Sequence, residues 1–171
     1  MKKMLILVPC TALLFACGGG GGGGGSVALQ PGQWEMVTQI TGVEAPGAPP
    51  AMVEQMRTAA AQQRQTQNRC MSPQEAANPS ASLVNAGQTT GCNFTEQTFT
   101  GGNIRIVGTC RGPGGQGEIA TRMEGTYTAT TMTATVTADI SMGANAPQGA
   151  PSSVRTTATL NGRRTGDCSA G

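Results

Sequence analysis

The residues of this sequence with the widest range of chemistry are its six cysteines, because a thiol can be acylated, oxidised to a disulfide or bound to a metal. Four of them, Cys70, Cys92, Cys110 and Cys168, are separated by 21, 17 and 57 residues. Zinc sites usually take their cysteines from closely spaced C-x-x-C pairs, which these gaps lack. The other two, Cys10 and Cys17, lie in the N-terminal segment, which is predicted below to direct export. An even number of remaining cysteines in an exported domain is typical of disulfides. We therefore predict two disulfides and no metal site.

A β-hairpin predicted in the middle of the chain favours one connectivity of these disulfides. Residues 90–111 read as two strands around a Gly-Gly pair, which is a common hairpin turn. A register in which paired residue numbers sum to 202 places Cys92 opposite Cys110. We predict that these two form one disulfide and that Cys70 and Cys168 form the other. The rival pairing, Cys70 with Cys92 and Cys110 with Cys168, stays open at this stage.

Residues for catalytic chemistry are scarce. The chain has no histidine, and its only two lysines are Lys2 and Lys3. The commonest general base and metal ligand is therefore missing, and so is an amine nucleophile in the rest of the chain. The nine carboxylates are scattered, and most of them fall on the polar face of a predicted strand or helix. We predict no catalytic residue and no cofactor, and we expect that the protein is not an enzyme.

Charged residues are dense at one place only, beside the last cysteine. Arg163, Arg164 and Asp167 lie within five positions there. One interpretation is an anion or partner site. The favoured interpretation is a local ion pair that braces the C-terminal turn, because exposed ion pairs are common and weak. Glu124 beside Arg122 is likewise predicted to form a cross-strand charge pair at the surface.

The N-terminus has the pattern of an export signal. Lys2 and Lys3 precede an apolar stretch at 4–16, which has about the length of a signal-peptide hydrophobic region. A membrane-spanning helix would need roughly 20 apolar residues, so this stretch is too short to span. We predict that residues 1–16 are a signal peptide.

The junction that follows resembles the lipobox of bacterial lipoprotein signal peptides, with Leu-Phe-Ala-Cys at 14–17. This resemblance implies cleavage before Cys17, lipidation of its thiol and attachment to a membrane by that lipid. The alternative is ordinary cleavage after Gly18, where small residues also fit a signal-peptidase site. Glycines occupy 18–25 and have no side chain to pack, so residues 17–30 are predicted to be a lipidated, glycine-rich, flexible tether.

Composition limits what the remaining chain can do. About 155 residues follow the predicted signal, which is the length of one domain. They carry nine arginines against nine carboxylates, so no net positive charge attracts nucleic acid or an anionic bilayer. The whole chain has one Trp, one Tyr and three Phe, which predicts a thin core that needs covalent support. We predict that residues 31–171 form a single disulfide-stabilised β-domain.

Alternation of apolar and polar residues predicts the strands that position these groups. The first begins at Trp34, with Met36 and Ile40 on the same face. The clearest covers 131–142, where apolar residues at even positions alternate with threonines, Asp139 and Ser141. Short strands joined by turn residues indicate a mainly β fold, an antiparallel meander curled into a sandwich or partial barrel.

One or two short helices are predicted in the N-terminal half. Residues 51–64 have a stripe of Met52, Met56 and Ala59 at helical spacing. This stripe is interpreted as packing on the domain, with a lid over an apolar pocket as the less favoured alternative. Ser72, followed by Pro and then by Glu75, has the pattern of a capping box at the start of a second helix.

The order of several short motifs carries a family resemblance. Pro-Gly-x-Trp-Glu at 31–35, Cys-Met-Ser-Pro-Gln-Glu at 70–75 and Gly-Arg-Arg-x-Gly-Asp-Cys at 162–168 together resemble the proteobacterial exported proteins of the domain-of-unknown-function family 3617. The resemblance implies a small exported domain, often lipid-anchored, with no established activity and no catalytic residues to carry over. With Gly18 after the cysteine, it implies a place in the bacterial cell envelope, at the outer membrane facing the periplasm.

Two functions are compatible with this sequence. The favoured one is an envelope lipoprotein that acts as a non-enzymatic binding or interaction module, with another envelope protein as a candidate partner. The alternative is a lipocalin-like carrier of a small apolar ligand held inside the curled sheet. Small residues such as Ala134, Ala138 and Ala158 would leave room for a ligand, but they equally fit a closely packed thin core.

Overall fold

The computed structural model describes residues 27–80, 91–112, 117–142 and 150–168. The predicted signal peptide, Cys17 and most of the predicted tether lie outside the described residues. Within the described ranges, seven strands and two helices follow in chain order: β1 (Gly32–Glu44), α1 (Pro50–Ala61), β2 (Arg64–Met71), α2 (Pro73–Ala77), β3 (Cys92–Thr100), β4 (Asn103–Arg111), β5 (Glu118–Tyr127), β6 (Thr131–Ser141) and β7 (Ser153–Gly166).

All described strands belong to one antiparallel sheet, in the order β2-β1-β7-β6-β5-β4-β3. The sheet is not closed into a barrel, so β2 and β3 are its edges. Strands β3 to β7 form the predicted meander, in which each strand pairs with the next along the chain. The first strand then pairs with the last, which places the β1–β2 unit beside β7. The mainly β fold class with two short helices is confirmed.

The predicted alternation buries one face of the sheet. Trp34 is fully buried, and its indole nitrogen donates a hydrogen bond to the carbonyl of Gln30 at 3.0 Å. Met132 contributes the largest buried side chain of β6. The main core cluster draws on strands from both ends of the chain, on α2 and on the segment before β1; its buried members are Leu29, Trp34, Met36, Met71, Ala76, Ile104, Ile106, Met123, Tyr127, Met132, Ala134 and Leu160.

Glycines on this inward face let neighbouring side chains and strands approach closely. A Cβ atom at Gly162 would lie 2.6 Å from the sulfur of Met36, and one at Gly108 would lie 2.7 Å from the ring of Phe94. A Cβ atom at Gly125 would overlap the carbonyl oxygen of Thr133, which is backbone and cannot rotate away. Glycines inside strands often mark such close approaches.

The β3–β4 hairpin confirms part of the predicted register. Cys92 pairs with Cys110 and Phe94 pairs with Gly108, as the sum of 202 requires. A bulge then follows Phe94, so the predicted register is wrong for the rest of the hairpin. Because a shift of one residue reverses the faces, Phe94 and Phe99 both pack against the core, which strict alternation would forbid.

The turn of this hairpin is formed by the predicted Gly-Gly pair. Gly101 and Gly102 have φ angles of 57° and 80°, a backbone conformation that other residues rarely adopt. A two-residue turn with both φ values positive matches the right-handed twist of the strands that it joins. Because glycine has no Cβ atom, this pair reaches that conformation without steric cost.

Helix α1 is shorter than the predicted 51–64, because β2 already begins at Arg64. The helix packs on the domain as predicted, but of the predicted stripe only Met56 takes part. Val53, Met56 and Ala60 pack on a second cluster that includes Val43 and Val154 at the far end of the sheet. Met52, by contrast, is 36% exposed, and Ala59 is exposed as well.

Helix α2 begins with the predicted capping box. The hydroxyl of Ser72 accepts a hydrogen bond from the backbone N–H of Glu75 at 3.2 Å, and the carboxylate of Glu75 accepts one from the backbone N–H of Ser72 at 2.8 Å. These bonds satisfy donors that a helix start would otherwise leave without partners.

Two disulfides tie the sheet together. Cys92–Cys110 joins β3 to β4, with Cα atoms 3.9 Å apart. Cys70–Cys168 joins the end of β2 to the segment after β7, with Cα atoms 5.4 Å apart and a sequence separation of 98. These are the two pairs predicted from the sequence. By the loop-entropy model they stabilise the fold by about 3 and about 4.7 kcal/mol, respectively.

The close approach at Gly125 generates a stability prediction. Gly125→Ala should lower the free energy of unfolding by about 3 kcal/mol, because the new methyl group meets backbone atoms of β6. Gly166→Ala is the matched control, since its Cβ atom would have no neighbour within 4 Å; its effect should stay within about 0.5 kcal/mol. Urea unfolding followed by circular dichroism measures both. Equal losses in the two variants would contradict the close approach.

Candidate functional site

The outward face of the sheet carries a polar groove over strands β2, β1 and β7. Its volume is about 460 Å³. We call it the β1 groove and define it by its lining residues, which are Glu35, Val37, Gln39, Arg64, Asn161, Gly162 and Arg163.

Strand register places these side chains side by side. Because side chains alternate along β1, Glu35, Val37 and Gln39 face outward while Trp34 and Met36 enter the core. Residues directly opposite in neighbouring strands share a face. Glu35 is paired with Arg163 of β7, Val37 with Asn161 of β7, and Gln39 with Arg64 of β2.

An ion pair forms one end of the β1 groove. The Nε atom of Arg163 donates a hydrogen bond to a carboxylate oxygen of Glu35 at 2.8 Å. This hydrogen bond lowers the pKa of Glu35 more than partial desolvation raises it, and the charges of Arg163 and Arg64 lower it further. The same bond raises the pKa of Arg163. Both groups are therefore ionised at neutral pH.

The groove also contains hydrogen-bond donors that form no hydrogen bond to any described residue. Arg163 bonds Glu35 through Nε, and among the described residues its two terminal nitrogens contact no acceptor. The guanidinium of Arg64 is exposed and has neither a hydrogen bond nor an ion pair within the described chain. An arginine carries five donors in a planar fork, so both residues can bind an oxygen acceptor on a ligand.

A second candidate surface lies on the inward face, beyond the main core. We call it the inner shelf and define it by Phe94, Ile119, Ala138, Ile140 and Ala158. These side chains point to the same face as the buried core, yet each is only half-buried. Partly exposed apolar side chains suit an apolar ligand better than a charged one.

The charged cluster near the last cysteine is divided between two roles. Arg164 forms an ion pair with Asp167 and donates a hydrogen bond from Nε to the carbonyl of Pro31 at 2.7 Å. This is the predicted brace of the C-terminal turn, and it also holds the chain just before β1. Arg163 does not join the brace; it pairs with Glu35 in the β1 groove.

The predicted pair of Arg122 and Glu124 is present as part of a larger network. The two side chains are 2.7 Å apart, but they lie along one strand and not across two. The cross-strand partner of Glu124 is Arg105, which also binds Glu96 at 2.8 Å. The cross-strand prediction missed this arginine because it depends on the register of β4 against β5, which the alternation within each strand does not specify.

The four cysteines of the domain are all engaged in disulfides, so none of their thiols can ligate a metal. Over residues 27–80, 91–112, 117–142 and 150–168, no three His, Cys, Asp or Glu side chains come together as a metal site would require. Within the same ranges no helix has the length and apolar character needed to cross a membrane.

Comparison with protein families agrees with the motifs. Residues 29–168 match the family described as Protein of unknown function (DUF3617). The chain belongs to this family. The DUF3617 match covers the seven described strands, both disulfides and every residue of the β1 groove, and it confirms the resemblance seen in the sequence. No curated protein and no solved structure matches the chain.

The cause of the lowered pKa of Glu35 in the β1 groove can be tested by titration. In Arg163→Gln the pKa of Glu35 should rise, because the variant loses the hydrogen bond and the charge of Arg163 that lower it, while the charge of Arg64 and the partial desolvation remain. Glu124 is the matched control, since its pKa is lowered chiefly by the hydrogen bond from Arg122. NMR detection of the carboxyl carbons across pH 2 to 7 measures both.

The lowered pKa of Glu35 also predicts how the stability of the domain depends on pH. A carboxylate with a lowered pKa contributes stability above its unfolded-state pKa, and this contribution is lost as the pH falls through the folded-state value. The advantage of the wild type over Glu35→Gln should therefore exist at neutral pH and vanish in acid. An unchanged pKa of Glu35 in Arg163→Gln would contradict the assigned cause.

Proposed function

We propose that this DUF3617 protein is a bacterial envelope lipoprotein whose β-domain is a non-enzymatic binding module. Residues 1–16 direct export, and Cys17 carries a lipid that holds the protein at the outer membrane, facing the periplasm. The glycine-rich tether at 17–30 sets the reach of the domain without fixing its direction. The domain binds another component of the envelope, with an envelope protein among the candidate partners.

The β1 groove is the observation that carries this proposal. It combines an ion pair, an additional arginine and donors that no described residue engages, all on neighbouring strands of the sheet. Surface ion pairs contribute little to stability, so charges placed in a groove are more informative as recognition elements than as supports of the fold.

The pKa shifts support binding over proton transfer. Where a carboxylate pKa is shifted, as in Glu35, Glu75 and Glu124, hydrogen-bond donors lower it. A general acid or base works best with a pKa near the operating pH, and these shifts move the carboxylates away from neutrality. The groups thus act as fixed charges.

The disulfides support an exported location. Disulfides form and persist in oxidising compartments, such as the periplasm, and are rare where thiols are kept reduced. Both pairs stabilise a domain with few aromatic residues. An oxidising compartment is therefore where this fold would keep its full stability.

A carrier of a small apolar ligand is the second candidate function. The inner shelf favours it, because half-buried apolar side chains there continue the inward face next to the core. Native mass spectrometry of the protein extracted from its own membrane tests it. A stoichiometric apolar molecule, lost in Ala138→Arg, would support the carrier.

Attachment of the protein to the membrane through Cys17 is tested by replacing that residue. Cys17→Ala should abolish lipidation, so that the protein becomes soluble or remains unprocessed while the wild type fractionates with the membrane. Cys10→Ala is the matched control, because Cys10 lies inside the predicted signal and should not affect the anchor. Membrane fractionation and mass spectrometry of the N-terminus measure the outcome. A soluble wild type beginning at Gly19 would instead show ordinary secretion.

Binding is tested by crosslinking in intact cells. A photoreactive residue at Gln39, on the β1 groove, should give a discrete adduct, because the ligand sits within reach. The same residue at Thr126, which is exposed on the outward face of β5 and separated from the groove strand β7 by β6, is the control. The non-enzymatic role is tested separately, by an activity screen with hydrolase and transferase substrates. Turnover that disappears in Glu35→Gln or Asp167→Asn would contradict a non-enzymatic role.

A further inference from the structure

The two ends of the β1 groove carry different charges. Glu35 and Arg163 form one end. Arg64 lies opposite Gln39, four residues farther along β1. A strand rises about 3.3 Å per residue, so the backbone positions of Glu35 and Gln39 are about 13 Å apart along β1. One end offers a carboxylate acceptor together with donors, and the other offers an arginine alone.

We propose that the β1 groove binds a short peptide, about three residues long, whose amino and carboxyl termini are both free. The ammonium group of the peptide contacts Glu35, and the terminal carboxylate contacts Arg64. The terminal nitrogens of Arg163 donate to the carbonyl groups of the peptide. This inference rests on the proposed function, that is, on the domain being a binding module.

The middle of the groove fits the remaining parts of such a ligand. Gln39 and Asn161 each carry an amide, which offers both a donor and an acceptor to peptide groups. Val37 is half-buried and forms an apolar floor for a small side chain. A volume of about 460 Å³ is within the range of roughly 300–1,000 Å³ that is usual for ligand sites.

The charge pattern distinguishes this ligand from a simple anion. Glu35 and Arg163 are both ionised and paired, so this end is close to neutral, whereas Arg64 adds a positive charge that no described residue pairs with. A simple anion would engage Arg64 and leave the carboxylate of Glu35 without a ligand contact, while a ligand with one positive and one negative group can engage both. Charge complementarity of this kind favours one orientation of the ligand and disfavours others.

The experiment uses the full-length protein extracted from its membrane in detergent, with trialanine as the probe. Isothermal titration calorimetry should show that trialanine binds at least tenfold more tightly than N-acetyl-trialanine or trialanine amide, each of which lacks one charged terminus. Inorganic phosphate should not compete. Amide NMR shifts on adding trialanine should be largest at Val37 and its neighbours in the groove.

Variants assign the two ends of the peptide. Arg64→Gln and Glu35→Gln should each weaken trialanine binding at least tenfold. Arg64 is exposed and has no protein partner among the described residues, so its substitution should leave folding intact. Arg155→Gln is the matched control, because Arg155 lies on the same face of β7, pairs with Asp139 and does not line the groove.

Four outcomes would overturn this inference. Phosphate that binds as tightly as trialanine would make the groove an anion site. Trialanine binding unaffected by Arg64→Gln and Glu35→Gln would place the peptide elsewhere. A crosslinked envelope protein at Gln39, with no trialanine binding, would overturn the peptide as ligand and leave the binding module standing. Loss of both the crosslink and peptide binding would overturn the proposed function as well.

Discussion

The antiparallel pairing of β1 with β7 is the interaction on which the rest of the described structure depends. It joins the β1–β2 unit to the meander of β3 to β7, because β1 has no other neighbour in the meander. The same pairing opposes Met36 to Gly162 in the core and Glu35 to Arg163 at the surface. Those last two residues are 128 positions apart in sequence. Closing so long a loop costs entropy, and the Cys70–Cys168 disulfide removes part of that cost from the unfolded chain.

A thin core explains why close approaches and covalent bonds replace bulky side chains in this fold. Trp34 and Tyr127 are the large aromatic residues that are enclosed among the described residues, and methionines supply much of the remaining buried volume. Methionine is flexible enough to fill irregular space, and Gly162 lets the sulfur of Met36 approach the backbone of β7. At Gly125, likewise, the absence of a side chain leaves room for the backbone of β6. A core built like this tolerates few added atoms.

Local features of the fold could be predicted from the sequence, whereas features set by distant contacts could not. The capping box at Ser72 and the first pairs of the β3–β4 hairpin depend on neighbouring residues, so the pattern alone indicates them. The bulge after Phe94 depends on the need to bury a second phenylalanine, Phe99, which only the assembled core imposes. The phase of α1 depends on the second cluster beneath it. Glu35 and Arg163 both lie in motifs that the sequence singles out, but their contact requires the pairing of the first strand with the last.

An open sheet of this kind presents two chemically opposite surfaces, and their differences bear on what each can bind. The outward face holds fixed charges whose pKa shifts keep them ionised, so its selectivity comes from the arrangement of charge. Selectivity on the inner shelf would come from apolar area alone, which discriminates weakly between ligands of similar size. The binding module proposed above is better served by the outward face. Strand β2, an edge of the sheet, carries two arginines and no acidic residue. Arg69 pairs with Glu75 of α2, whereas the exposed charge of Arg64 both discourages edge-to-edge association and contributes to the groove.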